Sequence, residues 1–122
     1  MKRTKTKMTN EEILNWLDNE YDIRIVLYPH IDKKNYIAYS ILVCYDSNIY
    51  IIQNSIGGIV IETIHYSQYP DKHIFFSDIT DKDTAIKIGI IFGMYMVEHK
   101  DRFHGITDYT EIIKIMESEL AE

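Results

Sequence analysis

Residues 81–100, DKDTAIKIGIIFGMYMVEHK, are the part of the sequence that decides the fold. Every residue from 88 to 97 is apolar or glycine, so a helix formed by this run has no side left for water. The run is about half of the roughly 20 apolar residues that a membrane-spanning helix needs. We therefore predict a helix buried in the core of a globular domain.

The two faces of this helix differ in side-chain size. Ala85, Gly89 and Gly93 recur every four residues and form one stripe of small residues. A glycine inside a helix costs about 1 kcal/mol relative to alanine, so the stripe predicts unusually close packing against a neighbour. Ile91 and Tyr95 lie on the outer face and need a cover, either the C-terminal helix or a second copy of the chain. Gly89, Gly93 and Ile91 are thus predicted packing or oligomer residues.

The composition describes one small acidic domain. The chain has 122 residues, 46% of them hydrophobic, which suffices for a core without disulfides or metal. The net charge is −6, although residues 1–7 carry four basic side chains and no acid. We predict a flexible basic tail at residues 1–8 and a single domain at residues 9–122. An acidic body repels phosphates, so direct nucleic-acid binding is expected at most from the tail.

Cysteine usage and the N-terminus predict the compartment. The single cysteine, Cys44, lies in an apolar run and has no partner for a disulfide within the chain. The basic start is not followed by the apolar segment of a signal peptide. We expect a cytoplasmic protein without membrane association. Heavy use of isoleucine, lysine, asparagine and tyrosine is typical of AT-rich coding sequences and suggests a low-GC bacterium or one of its phages.

The rest of the sequence predicts strands between two further helices. Thr9 and Glu12 have the spacing of a capping box and begin an amphipathic helix. Alternating or apolar runs predict strands at residues 23–28, 36–45, 49–53 and 59–66, with a short fifth strand at an edge at residues 73–77. A second capping box at residues 108–111 begins the last helix.

The turns between these strands are too short for parallel crossovers, so neighbouring strands must be antiparallel. The predicted fold class is α+β: an antiparallel sheet of four to five strands with an N-terminal helix and two C-terminal helices, which pack mainly on one face.

Candidate catalytic and metal-binding groups are few. Asp78, Asp81 and Asp83 suit the positive end of the core-helix dipole and fit no calcium-loop spacing. The five histidines include no i, i+4 pair on a helix, so we predict neither a metal site nor a cofactor. Asp101 and His104 place an acid and an imidazole in one loop, which keeps a small hydrolase or nuclease as an alternative.

Two features favour recognition over catalysis. The chain has 10 tyrosines, several of them in strands, and on the face opposite the helices they would form an amphipathic binding surface. Solvent-facing strands also prefer tyrosine without any partner, so both interpretations stay open. Acids at the end of the last helix indicate either a frayed, solvated end or a patch for a basic partner. The predicted partner-binding residues are Tyr28, Tyr36, Tyr39, Tyr50, Tyr66, Glu117 and Glu119.

The leading hypothesis is a non-catalytic binding protein encoded by a phage or mobile element. It would inhibit a host defence or nucleic-acid-handling factor by occlusion or sequestration, as anti-CRISPR proteins do. The alternative is an oligomeric sponge or sensor for a small molecule such as a nucleotide signal. Its predicted ligand-binding residues are Tyr95, Arg102, Phe103 and His104.

Overall fold

The predicted order of helices and strands is confirmed by the computed structural model, which describes residues 8–68, 74–101, 103 and 108–121. The elements are α1 (Asn10–Tyr21), β1 (Arg24–Ile31), β2 (Ile37–Tyr45), β3 (Asn48–Ser55), β4 (Gly58–His65), a 3-10 turn (Tyr66–Gln68), α2 (Lys82–Glu98) and α3 (Thr110–Ala121). Residues 1–7 of the predicted basic tail lie outside the described residues. Within the described ranges, no helix combines the length and apolar character needed to cross a membrane.

The four strands form one antiparallel sheet in the order β1-β2-β3-β4. Asp46 and Ser47 connect β2 to β3 with φ angles of 51° and 71°, the left-handed conformations that a tight two-residue hairpin requires. Strand β1 runs through Pro29 to Ile31 and is therefore longer than predicted. Proline is tolerated there because β1 is an edge strand. On the open side of such a strand no neighbouring strand would accept a hydrogen bond from the N–H that proline lacks.

Helix α2 lies close to the sheet along its stripe of small residues, as predicted. A Cβ atom built on Gly89 would lie 2.7 Å from Ile25 Cγ2 and 3.1 Å from Ile41 Cγ2. One built on Gly93 would lie 2.9 Å from Leu17 Cδ1. Real Cβ atoms essentially never come within 3.0 Å of a neighbour, so glycine is what permits the approaches at 2.7 and 2.9 Å.

All three helices pack on the same face of the sheet, also as predicted. Leu17 of α1, Phe92 of α2 and Met116 of α3 are fully buried in one hydrophobic cluster with the inward side chains of the strands. Helix α3 covers part of the outer face of α2, where Ile91 is partly buried and lines a groove between the two helices. A smaller cluster of Leu42, Ile49 and Ile51 lies on the opposite face.

At one end of the sheet, the two hairpins separate. Pairing between β2 and β3 stops at Ile41 and Ile52, whereas each outer pair continues to its own turn. Residues 74–80, which we call the crossing segment, fill the opening. The Tyr39 N–H donates to the Ile79 carbonyl (2.8 Å), and the Asp78 N–H donates to the Asn54 carbonyl (3.0 Å).

The crossing segment connects the two faces of the sheet. Phe75 packs in the smaller cluster, and Ile79 packs in the main core on the helix side. The prediction of a fifth strand at an edge (residues 73–77) is wrong for residues 74–77, which form no strand and lie between the hairpins; residue 73 lies outside the described residues. Hydrogen bonds between side chains and backbone N–H groups replace a regular ladder here: Gln53 Oε1 accepts from Phe76 and Ser77, and Ser77 Oγ accepts from Asn54.

Candidate functional site: the cleft between the hairpin tips

An open cleft of about 700 Å³ lies between the separated hairpins, and we call it the fork cleft. The β1–β2 turn forms one wall, the β3–β4 turn forms the other, and the crossing segment forms the floor. Its lining residues are Asp32, Lys33, Lys34, Tyr36, Ser55, Ile56, Gly57, Phe76, Asp78 and Thr80.

Large apolar side chains are exposed on both walls and on the floor of the fork cleft. Ile56 is fully exposed, and Tyr36 and Phe76 are 63% and 42% exposed. Ile31 and Ile37 pair at the end of the first hairpin and are more than half exposed as well. Single exposed apolar residues are ordinary, but a cluster around a concavity is typical of an interaction site.

The first wall is ordered by the carboxylate of Asp32. Its Oδ1 atom accepts hydrogen bonds from the backbone N–H groups of Lys34 (2.9 Å) and Tyr36 (2.8 Å). Asn35 adopts the left-handed conformation, with φ 69°, that this turn requires and that asparagine tolerates. Asp32 is therefore committed to the turn, which holds Lys33, Lys34 and Tyr36 at the rim.

The second wall is anchored to α3 by Glu117. Gly58 has φ 105°, and a Cβ atom there would lie 2.6 Å from Glu117 Oε2. The same oxygen accepts a hydrogen bond from the Ile59 N–H at 2.9 Å. Glu117, predicted to face a partner, thus makes an intramolecular bond that fixes the hairpin tip carrying Ile56. Its role in partner binding stays a prediction.

The floor is held by buried polar side chains. Gln53 Oε1 accepts hydrogen bonds from the Ser40 hydroxyl (2.6 Å) and from the backbone N–H groups of Phe76 (2.7 Å) and Ser77 (3.2 Å). Gln53, Ser40 and Ser77 are 1% exposed or less. Since buried polar groups are costly unless paired, this network selects one position for the crossing segment.

A histidine beside this network does not make Ser40 a nucleophile. His30 Nε2 lies 3.1 Å from Ser40 Oγ. The single hydroxyl proton of Ser40 is donated to Gln53, so His30 Nε2 must donate to Ser40 Oγ rather than accept from it. An activated serine needs the opposite direction, with the imidazole accepting the proton.

The predicted tyrosine surface is divided between the two faces of the sheet. Tyr50 is 3% exposed in the main core, and Tyr39 is partly buried against the same core. Register explains the placement, because Tyr50 pairs with Val43, which points toward the helices. The prediction that the tyrosines share the face opposite the helices is therefore wrong.

The remaining predicted tyrosines lie apart from one another. Tyr28 is on the face opposite the helices, where its ring stacks on Phe75 with centroids 4.0 Å apart. Tyr36 and Tyr66 are both more than 60% exposed, but Tyr36 lines the fork cleft and Tyr66 begins the 3-10 turn after β4. Of the predicted partner-binding tyrosines, only Tyr36 belongs to the cleft lining.

The predicted ligand site coincides in part with an aromatic core. Phe103 is 1% exposed and meets Tyr50 edge-on at 5.3 Å, and Tyr95 lies 6.4 Å from Phe103. Burial raises the pKa of Tyr50 to about 12, with the nearby Tyr109 hydroxyl as the next cause. Phe103 is thus a packing residue. Arg102 and His104 lie outside the described residues, so their ligand contacts stay predictions, as does catalysis by the exposed Asp101 with His104.

The outer groove between α2 and α3 is smaller and shallow. It has a volume of about 440 Å³ and is lined by Ile91, Lys114, Ile115, Ser118 and Glu119. Ile115 is 49% exposed. Glu119, a predicted partner-binding acid, therefore borders the predicted oligomer surface around Ile91, and whether a second copy binds there stays a prediction.

Cysteine and metal chemistry have little support in the described parts of the chain. Burial raises the pKa of the Cys44 thiol, and the nearby Arg24 charge opposes this effect only in part. A raised pKa disfavours the reactive thiolate. Within these parts, no three or more His, Cys, Asp or Glu side chains come together where they could hold a metal ion.

Among the cleft residues that sequence reasoning missed are Lys33, Lys34, Ile56 and Phe76. Ile56 did carry a signal, because a large apolar residue in a two-residue hairpin turn has no packing role to explain it. Comparisons with protein-family models, curated proteins and solved structures found no match to this chain.

Proposed function

We propose that this chain is a small, non-catalytic binding protein that inhibits a larger protein by occluding it, and that it holds its partner at the fork cleft. The observation that carries the proposal is the exposure of Tyr36, Ile56 and Phe76 around one concavity. Aromatic and aliphatic anchors in concave sites supply most of the binding energy of protein interfaces.

The rigidity of the cleft supports the same function. Asp32 orders one wall, Glu117 anchors the other, and Gln53 positions the floor. A surface that is already ordered loses less conformational entropy on binding, so more of the contact energy remains as affinity. Apolar side chains that are held in contact with water cost free energy in a protein that has no partner to cover them.

The composition supports a phage or mobile-element origin and a host defence or nucleic-acid-handling factor as the target. Residue usage is that of an AT-rich genome, and the net charge of −6 favours approach to the basic surfaces of such factors. Occlusion requires no catalytic group, in keeping with a cleft lined by apolar side chains, lysines and hydrogen-bonded acids.

Affinity capture with cleft variants tests the proposal. We immobilise the wild-type chain, the variant Ile56→Asp and the control variant Ile115→Asp, and expose each of them to lysate of a low-GC bacterium. Ile115 is a matched control because it is an exposed isoleucine on α3, outside the cleft lining. We expect one lysate protein to be retained by the wild-type chain and by Ile115→Asp but not by Ile56→Asp. The activity of that protein, once purified, should fall when the wild-type chain is added at equal concentration. Equal retention by Ile56→Asp contradicts the proposal.

A second candidate function is a small-molecule sponge that uses the same cleft. Its volume of about 700 Å³ falls within the usual range for ligand pockets, and Tyr36 with Lys33 and Lys34 could hold an aromatic ring and an anionic group. Calorimetric titration with a panel of nucleotides tests this function. Saturable binding by wild type that is lost in Tyr36→Ala supports it, and the absence of any heat of binding removes it.

A further inference from the structure

We infer that two copies of this chain associate through the open edge of β1, which joins their two four-stranded sheets into one antiparallel sheet. The juxtaposition behind the inference is a short row of outward-facing backbone groups on β1 beside the side chain of Val26, which is 40% exposed. The inference does not depend on the proposed function, because this edge lies outside the lining of the fork cleft.

The sheet register shows which backbone groups of β1 face the open edge. The Tyr39 N–H donates to the Ile79 carbonyl, away from β1, so Tyr39 and its partner Pro29 exchange no hydrogen bonds. Because this direction alternates along a strand, Ile25 and Leu27 also turn their N–H and C=O groups outward. Among the described residues, none forms a backbone hydrogen bond with these outward groups.

The opposite edge of the sheet, on β4, is closed by side chains. The Ile59 N–H donates to Glu117 Oε2 at 2.9 Å, and the His65 N–H donates to Gln68 Oε1 at 3.0 Å. Natural sheets protect their edges in such ways, because an unprotected edge pairs with another strand. No bond of this kind from a described residue protects β1 between residues 24 and 28, so β1 is the edge that can accept a strand.

The two ends of this unprotected stretch favour a second copy of the chain over an unrelated strand. At one end the Ile23 N–H is already donated to the Leu17 carbonyl at 3.1 Å, and at the other end Pro29 has no N–H. A twofold axis at Val26 places Ile23 of each copy opposite Pro29 of the other. The residues that cannot donate to a new strand therefore lie opposite each other.

The same axis satisfies the groups between these two ends. Ile25 of each copy lies opposite Leu27 of the other, and the two residues exchange N–H to C=O hydrogen bonds. Ile25 and Leu27 pack toward the helices, so Val26 is on the other face, where it meets Val26 of the second copy and loses its contact with water. Such an interface is isologous, as in most homodimers.

The geometry of the dimer leaves the fork clefts open. Because the two β1 strands run antiparallel, the fork clefts lie at opposite ends of the joined sheet. The contact is short, and each chain carries a net charge of −6, so the two copies repel each other at low salt. Association should therefore strengthen between about 0.05 and 0.5 M NaCl, as screening weakens that repulsion.

Analytical ultracentrifugation from about 10 µM to 1 mM chain measures the association. Val26→Asp should weaken it about tenfold or more, because two like charges would meet on the twofold axis. Val60→Asp is the matched control, since Val60 is an exposed valine (44%) on β4, the closed edge strand, and this variant should associate as the wild-type chain does. Urea unfolding of both variants checks that each is folded.

Amide exchange followed by NMR locates the contact in the wild-type chain and needs no variant. The N–H groups of Ile25 and Leu27 should exchange more slowly at concentrations where the dimer prevails, whereas those of Ile61 and Thr63 on β4 should not change. A chain that stays monomeric up to about 1 mM in 0.5 M NaCl overturns the inference. So does a dimer that Val26→Asp does not weaken, or one that slows exchange only in α2 and α3.

Discussion

Replacing Gly89 with alanine should destabilise the domain, even though alanine is the better helix former. The new Cβ atom would lie 2.7 Å from Ile25 Cγ2 and 3.1 Å from Ile41 Cγ2. Both neighbours are β-branched, and their Cγ2 atoms cannot move without a change of rotamer or a shift of the strand. Relief therefore requires a new rotamer of these side chains, a shift of a strand or a movement of α2 away from the sheet, and each of these disturbs the packed core.

Two opposing effects set the size of the change. Overpacking a core costs typically about 1 to 3 kcal/mol, and the gain in helix propensity from glycine to alanine is about 1 kcal/mol. Because two stiff side chains oppose the new methyl group, we expect the upper part of that range. The net loss for Gly89→Ala should be about 1 to 2 kcal/mol, or a fall in Tm of about 4 to 8 °C.

Two other glycines calibrate this prediction. At Gly93 the nearest atom is Leu17 Cδ1 at 2.9 Å, the far end of a flexible side chain, so Gly93→Ala should change stability by less than Gly89→Ala. At Gly57 nothing lies within 4 Å of a new Cβ atom, and Gly57→Ala should stabilise the domain by about 0.4 to 1 kcal/mol.

Urea unfolding followed by circular dichroism, on all three variants and wild type, measures these differences. The expected order of stability is Gly57→Ala, then wild type and Gly93→Ala together, then Gly89→Ala. A Gly89→Ala variant as stable as wild type would refute the argument that α2 is held against the sheet by its missing side chains.

Three further predictions concern the supports of the fork cleft and the aromatic core. Glu117→Ala should lower the free energy of unfolding by about 1 to 2 kcal/mol, because the Ile59 N–H loses its carboxylate acceptor, and E117Q should recover part of the loss in the same urea titration. Gln53→Ala removes the acceptor of two backbone N–H groups in the crossing segment, so hydrogen exchange at Phe76 and Ser77 should become faster while exchange in α2 changes less. Burial raises the pKa of Tyr50 to about 12, above the value near 10 of an unfolded chain, so its contribution is complete below pH 10 and is lost as the pH rises toward 12. Tyr50→Phe should therefore lose less stability than wild type between pH 10 and 12, and equal losses would contradict this reading of the core.

Local patterns in the sequence predicted the parts of the fold that depend on local geometry. The spacing of Ala85, Gly89 and Gly93 indicated close packing because the helical period alone puts them on one face. The short turns likewise predicted the antiparallel sheet, since no parallel crossover fits them.

Long-range pairing explains what the sequence did not predict. Strand β2 is apolar on both faces, so its alternation could not show that Tyr39 points toward the helices. The separation of the hairpins depends on hydrogen bonds from Tyr39 to Ile79 and from Asp78 to Asn54, between residues far apart in the chain. The residues of the fork cleft come together only through that separation.

Hydrogen–deuterium exchange of the protein, alone and saturated with its captured partner, tests the central claim most directly. If the fork cleft is the binding site, the partner should slow exchange at the two hairpin turns, residues 32–36 and 55–57, and in residues 76–80. Slower exchange confined to the groove between α2 and α3, with these three segments unchanged, would contradict the account.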